Sequence, residues 1–373
     1  MSVMNKIVYM DYNATAPAYG SVISAMSAAL NHVGNPSSVH GSGRGARKLL
    51  EEAREKVARL VNVPSDWVIF TSGGTEADAL ALNGVDVERV LVSAVEHVAV
   101  MNARDDVDVL SVDENGIVDL KALEDRLKGD ERTTLVSVVA ANNETGVIQP
   151  LEEIVEICHA HGALVHSDAV QMVGKCDFDM QALGLDMISL SAHKIGGPQG
   201  VGALVKRQGV DLEAMFKGGG QERSLRGGTE NLSGIVGFGA AVEEKTDYLA
   251  IKALRDDLEL QIKALGATVF GDGAKRLPNT SYFAFAGMPS ERQVMALDLA
   301  GVMVSAGSAC SSGKVKSSHV LKAMKVEDEL AGCAIRVSLG WNSTKEDIEF
   351  FVQAYTKLIE RVQSRKTGRS NAA

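Results

Sequence analysis

Met187-Ile188-Ser189-Leu190-Ser191-Ala192-His193-Lys194-Ile195-Gly196-Gly197-Pro198 is the stretch on which the reading turns. Met187–Leu190 is an apolar run of strand length, and Gly196-Gly197-Pro198 ends whatever precedes it. A lone lysine is nearly always a solvated surface charge. Lys194 directly follows a run that reads as a buried strand, so it sits at the mouth of a sheet. There an amine is partly desolvated, its pKa falls, and a neutral nucleophile able to form a Schiff base becomes available.

Working outward, similar short runs recur at Trp67–Phe70, Val90–Val92, Leu135–Ala140, Ala163–Val165 and Gly202–Val205, bounded by Gly, Asn, Asp or Ser. Helix-compatible stretches lie between several of them. One spans 47–61, with Leu49, Leu50, Ala53, Val57, Leu60 and Val61 at helical spacing. This alternation predicts an α/β fold with a mainly parallel sheet flanked by helices. After about residue 240 the texture changes. A charged helical stretch at Ala240–Leu265 leads to strand candidates at Thr280–Phe285 and Ala334–Leu339 and a final helix at Lys345–Gln363. We expect a large domain over 15–245, a smaller α+β domain from 1–14 and 246–363, and a disordered tail over 364–373.

The chain has 373 residues, 45% hydrophobic and 23% charged, the make-up of an ordinary globular protein. Its formal net charge of -10 speaks against a general DNA-binding or membrane-surface role. Met1–Tyr9 lacks a signal-peptide core, and no stretch approaches the roughly 18 apolar residues of a membrane helix. Four cysteines, Cys158, Cys176, Cys310 and Cys333, form no CxxC pair. Free thiols in a reducing, cytoplasmic setting fit better than disulfides or a metal site.

In an open α/β sheet, ligands bind outside the carboxyl ends of the strands. Three features fall there. Thr71-Ser72-Gly73-Gly74-Thr75-Glu76 leads from a strand into a helix and suits a phosphate, although such a turn alone is more often plain turn chemistry. Asp168, with Gln171 three residues on, ends another strand; alone it reads as a helix cap. Lys194 ends the third. A phosphate cradle, an acid for a pyridinium nitrogen and a lysine for an aldehyde are what pyridoxal 5'-phosphate requires.

With these residues in place, the chain resembles the class V aminotransferases of pyridoxal-phosphate fold type I, and within them the cysteine desulfurases of the NifS/IscS group. The resemblance runs from about Ile7 to Lys357. It is carried by Tyr9–Thr15, Gly34–Ser38, Thr71–Glu76, Glu96-His97, Asn142–Gly146, Asp168–Gln171, Ser191–Lys194, Gly218–Arg223, Gly227–Thr229, Gly307–Cys310 and Arg336–Gly340. It implies that Lys194 carries the cofactor and Asp168 pairs with the pyridinium nitrogen. Gln171 would bond the ring's phenolic oxygen, and His97 would stack on the ring and shuttle protons. Gly74, Thr75, Ser191 and His193 would hold the phosphate, joined by Thr229 from the partner of a homodimer. Asn143 and Arg336 would meet the substrate carboxylate, Asn143 also lying close to the cofactor. Each also has a plainer reading: His97 a core histidine, Asn143 a turn residue, Thr229 a cap, Arg336 an ion pair.

Cys310 lies in Ser305–Gly313, a run of small residues suited to a thiolate that must move. The resemblance makes it the acceptor of sulfur from L-cysteine, which leaves as L-alanine, with a persulfide passed to an iron–sulfur scaffold or sulfur-carrier protein. Lys314 and Lys316 depart from the neutral or acidic loop common in the group. Transamination and selenocysteine lysis on the same scaffold, or an inactive homologue, are the alternatives; intact Lys194, Asp168 and Cys310 speak against the last. A plain nucleotide-binding fold would need a GxGxxG or Walker motif after the first strand, which is lacking.

Overall fold

The computed structural model describes residues 6–307 and 318–370, with side chains described as far as Ser364. The strands are β1 (Val8–Tyr9), β2 (Val68–Thr71), β3 (Arg89–Ser93), β4 (Val107–Leu110), β5 (Thr134–Ser137), β6 (Leu164–Asp168), β7 (Met187–Ser191), β8 (Gly202–Lys206), β9 (Thr268–Val269), β10 (Thr280–Ala284), β11 (Val302–Met303) and β12 (Ala334–Ser338). Seven of them form the main sheet in the order β2-β8-β7-β6-β5-β3-β4. Parallel pairing joins β4, β3, β5, β6 and β7, while β8 runs antiparallel to both β7 and β2. β2 therefore points the same way as β3–β7, and all of their carboxyl ends share one edge.

Successive residues of these strands feed opposite faces, as a pleat demands. Val68, Phe70, Leu91, Val136, Ile188 and Leu190 pack with Leu50 and Val57 of helix Gly41–Leu60 and Ile154 of helix Leu151–Ala160. Ile69, Val90, Val92, Leu135 and Met187 pack against Ala77, Leu80 and Ala81 of helix Gly74–Gly84. Burial on both sides is why the strands read as continuous apolar runs.

A second core lies beyond residue 247. The antiparallel sheet β12-β10-β9 packs with Phe351 and Tyr355 of the last helix and Leu258 and Ile262 of helix Tyr248–Ala264. Val8 and Met10, from the start of the chain, join this core.

Four details differ from the sequence reading. β8 is antiparallel because the link from Ser191 to Gly202 holds the short 3-10 turn Ala192–Ile195 and no crossover helix. β4 was missed; at the sheet edge it alternates Val107, Asp108, Val109 and resembles a loop. The helix expected over Ala240–Leu265 is two, Leu232–Ala241 and Tyr248–Ala264, the second started by Asp247 accepting from the amides of Leu249 and Ala250. The last helix runs Lys345–Ser370, so the stretch from 364 expected to be disordered is helical to 370. No proline interrupts it, and extending a formed helix costs little. Among the described residues no helix is long and apolar enough to cross a membrane.

A buried ion pair fixes the loop over the sheet edge. Arg54 donates to both carboxylate oxygens of Glu222, at 2.6 and 2.8 Å, and Glu222 accepts the Phe70 amide at 2.8 Å. Glu222, Arg223 and Ser224 all hold left-handed backbone (φ 43°, 58° and 66°), a strained run that these bonds must offset. Glu222→Ala should cost about 3 kcal/mol in chemical denaturation, because the buried Arg54 then keeps only Glu51, at 3.0 Å, as a carboxylate partner. An unchanged denaturation midpoint would show that the pair does not hold this loop.

Candidate active site

The site is built where the strand ends meet the segment Asp11–Thr15, which passes from the second core to the main sheet. After β2, Gly73 enters the helix Gly74–Gly84, whose first amides lack partners within the helix. Close packing requires small residues here. A Cβ on Gly202 would lie 2.7 Å from the Gly73 carbonyl carbon, and one on Gly74 would lie 3.0 Å from Val170 Cγ2. Glu76 accepts the Ser72 amide at 2.8 Å and pairs with Arg226 at 2.8 Å, bracing the turn. Thr75 is exposed beside it and Ser191 is buried at the end of β7. The result is a concave, donor-rich cradle suited to an anion.

Lys194 sits in the short 3-10 turn Ala192–Ile195, half-buried. Its Nζ donates to the carbonyl oxygens of Asn13 (2.7 Å) and Ala14 (2.9 Å). His193 Nδ1 lies 3.2 Å from Thr15 Oγ1, and burial, then the charge of Lys194, push this imidazole down to about 4. Asp168, buried at the end of β6, accepts the Val170 amide at 3.0 Å. Burial raises its carboxyl, while the charges of His97 and Lys194 pull it back. His97 is half-buried and caps the next turn by accepting the Ala99 amide at 3.2 Å.

Asn13 ties these groups together. Its carbonyl oxygen accepts from Lys194 and from Gln171 Nε2 (2.9 Å). Its Oδ1 accepts from Lys175 Nζ (3.0 Å) and Asn279 (3.1 Å), and its Nδ2 donates to Thr280 (2.8 Å) and the Asn143 carbonyl (3.2 Å). Arg336, buried on β12, donates to the same Asn143 carbonyl (2.9 Å) and to Asp11 Oδ1 (2.7 Å). Its plainer reading as an ion pair is thus present in part, yet its Nε is buried with no partner. Such an orphaned guanidinium N–H is a ready donor for an incoming carboxylate.

Beneath the edge lies a second layer to whose residues the sequence reading gave no role. His166 is bonded at 2.9 Å to Ser137 on one side and Ser189 on the other, and burial pushes it down to about 3. Burial and then the Asp168 charge drive Asp78 well above the usual carboxylate range. Glu96 accepts from Ser93 (2.5 Å) and the Val139 amide (2.6 Å), while its Oε2 has no partner. Among the described residues no His/Cys/Asp/Glu group is arranged to hold a metal ion.

Lys194, Asp168, Gln171, His193, Asn143 and Arg336 are linked by this network or by charge. Thr229 stands apart, exposed on the loop after Gly228. Cys310 lies outside the described residues. Its described flanks are held next to the site: Gly307 abuts the Tyr282 hydroxyl, and Ser318 Oγ donates to Glu144 at 2.5 Å. Of the other cysteines, Cys158 is buried, with burial pushing its thiol up to about 12, and Cys333 is buried with its thiol on the Glu329 carbonyl. Cys176 is half-buried.

The architecture is the fold-type-I arrangement of solved NifS-like proteins. The one from Rickettsia africae superimposes with a TM-score of 0.88 at 36% identity, over 95% of this chain and 99% of that one. A profile of the aminotransferase class-V family matches residues 8–351. The chain is 40% identical to the cysteine desulfurase IscS of Dictyoglomus turgidum, over 97% of this chain and 96% of that protein. It is 42% identical to a cysteine desulfurase of Cereibacter sphaeroides, over 96% of this chain and 97% of that protein. A solved SspA in complex with cysteine matches with a TM-score of 0.78 at 29% identity, over 90% of this chain and the whole of that one. The chain belongs to the aminotransferase class-V family.

Glu96 yields a pH-dependent consequence. Burial lifts its carboxyl from 4.5 to about 8. Between those values the folded state holds a proton that the unfolded state has lost, so stability falls as pH rises through this window. Glu96→Gln should flatten that part of the stability–pH curve, measured by denaturant unfolding. A variant with the wild-type slope would contradict the assignment.

Proposed function

We propose that this chain is a pyridoxal 5'-phosphate-dependent cysteine desulfurase, which converts L-cysteine to L-alanine and leaves the sulfur as a persulfide on Cys310. The observation that carries the reading is Lys194, an amine docked on two backbone carbonyls at the sheet edge beside the buried Asp168, in a chain whose relatives are named cysteine desulfurases. The residues present fit the cofactor. The glycine cradle at Gly74 has no room for a Cβ without Val170 giving way, its helix amides suit a phosphate, and Asp168 is an acid matched to a ring nitrogen. Gly74, Thr75, Ser191 and His193 would hold the phosphate, and Thr229 would be supplied across a homodimer interface, in keeping with its exposure.

When bound, pyridoxal phosphate supplies an electron sink for the charge that develops at the substrate's α-carbon. Asp168 would pair with the ring nitrogen and keep a proton there. Gln171 would bond the ring oxygen, and His97 would cover the ring and move protons. Arg336 and Asn143 bind the substrate carboxylate, Arg336 through the Nε proton that is otherwise unpaired. Lys194 would take the α-proton of the substrate. The Cys310 thiolate attacks the substrate sulfur; the Cβ–S bond breaks, an S–S bond forms, and the carbon skeleton gains protons to leave as alanine. The persulfide then passes to an acceptor protein, an iron–sulfur scaffold or a sulfur carrier, in the cytoplasm.

Brief exposure to L-cysteine should add one sulfur mass, removable by reductant, to the peptide containing Cys310. Cys310→Ser should keep the visible cofactor band while alanine formation drops to background, because an alcohol is a far poorer nucleophile toward sulfur. A persulfide found on Cys333, or a fully active serine variant, would show that another thiol does this work.

A further inference from the structure

Lys175 is a second lysine in this site, and the reaction above gives it no task. It is 4% exposed, and its Nζ donates to Asn13 Oδ1 (3.0 Å) and Gln171 Oε1 (2.7 Å). Among the described residues its partners are amides rather than carboxylates. Burial, followed by the charges of Lys194 and Arg336, pushes its amine well below the ordinary lysine range, with Cys176 opposing. Burying an amine without a counter-ion is costly, so a plain packing role would be served better by an apolar side chain.

The two bonds have a geometric consequence. An amide can be turned end for end at little steric cost, so its neighbours decide which end faces where. Lys175 Nζ meets the oxygen of each amide, and the Asn13 backbone carbonyl, which can only accept, takes an N–H of Gln171. Gln171 is thereby held with its oxygen on Lys175 and one amide proton on the Asn13 carbonyl. What it can offer a bound group is its second N–H. Asn13 is held in the same way by Lys175 and Asn279, and its carbonyl is the dock of Lys194.

We propose that Lys175 is a positioning residue: it pins Gln171 so that an N–H, rather than a carbonyl oxygen, meets the ring oxygen of the bound cofactor. The inference rests on the pyridoxal-phosphate reading of the site. A donor favours the deprotonated ring oxygen, so losing it makes that oxygen easier to protonate.

The test is a pH titration of the visible absorption band of the loaded protein. Lys175→Met should raise the titration midpoint by roughly one pH unit. Gln171→Leu should raise it equally, and the double variant should go no further, since both remove one donor. A merely structural lysine would lower the melting temperature and leave the midpoint in place. Should the Met variant not load cofactor, Lys175→Gln enters the same cycle, with a smaller rise because it retains N–H donors. An unmoved or lowered midpoint in a loaded Lys175 variant, or shifts that add in the double variant, would overturn the proposal. Failure of both Lys175 variants to load while Gln171→Leu loads would overturn it too. If the wild-type protein incubated with pyridoxal 5'-phosphate develops no visible band, the cofactor reading itself fails, and this inference with it.

Discussion

The backbone carbonyl of Asn13 accepts two hydrogen bonds, from Lys194 at 2.7 Å and from Gln171 at 2.9 Å, and the rest of the site depends on where that oxygen stands. Asn13 is 1% exposed, so every polar atom it carries has to be satisfied within the protein. Its amide nitrogen donates to Ser338 on β12, and its side chain reaches Thr280 on β10, Asn279, Lys175 and the Asn143 carbonyl. Atoms from the small antiparallel sheet and from the edge of the main sheet are thus fixed relative to one residue. The Asn143 carbonyl, shared with Arg336, extends the link to the residue proposed for the substrate carboxylate. A shift of the Asp11–Thr15 segment would move the Lys194 dock and the Arg336 anchor together.

Electrostatics at the sheet edge follow from depth. Asp78 and Glu96 are buried without cations near enough to offset desolvation, and both are pushed upward. Asp168 is buried and pushed upward as well, but His97 and Lys194 act against the penalty. Of three neighbouring acids, it is the one whose surroundings supply positive charge. His166, which lies between Ser137 and Ser189, is driven neutral and fills its two bonds with hydroxyls, so it adds no charge beneath the site. These differences suit a pair formed between Asp168 and a cationic ring nitrogen.

Much of the architecture was legible in the sequence because the strands are buried on both faces and therefore read as unbroken apolar runs. Lys194, Asp168 and the Gly73-Gly74 turn stood out because each follows such a run. What escaped was non-local or amphipathic. β4 alternates at an edge and mimics a loop, and the break before Asp247 is marked only by one capping aspartate. Asn13 lies within the quoted stretch Tyr9–Thr15, but its contacts are with residues more than a hundred positions away. Lys175 carried one usable signal, its spacing four residues after Gln171, which places the two side chains within reach of each other across one turn. The buried states of Asp78 and Glu96 have no mark in sequence at all.

The claim on which the account turns is that Lys194, docked on Asn13 and Ala14, is the amine that carries the cofactor. Borohydride reduction of the protein loaded with pyridoxal 5'-phosphate, followed by peptide mass mapping, locates that amine directly. The account predicts the pyridoxyl mass on the peptide containing Lys194, with Lys175 unmodified. The label on Lys175, or on any lysine away from the sheet edge, would contradict it.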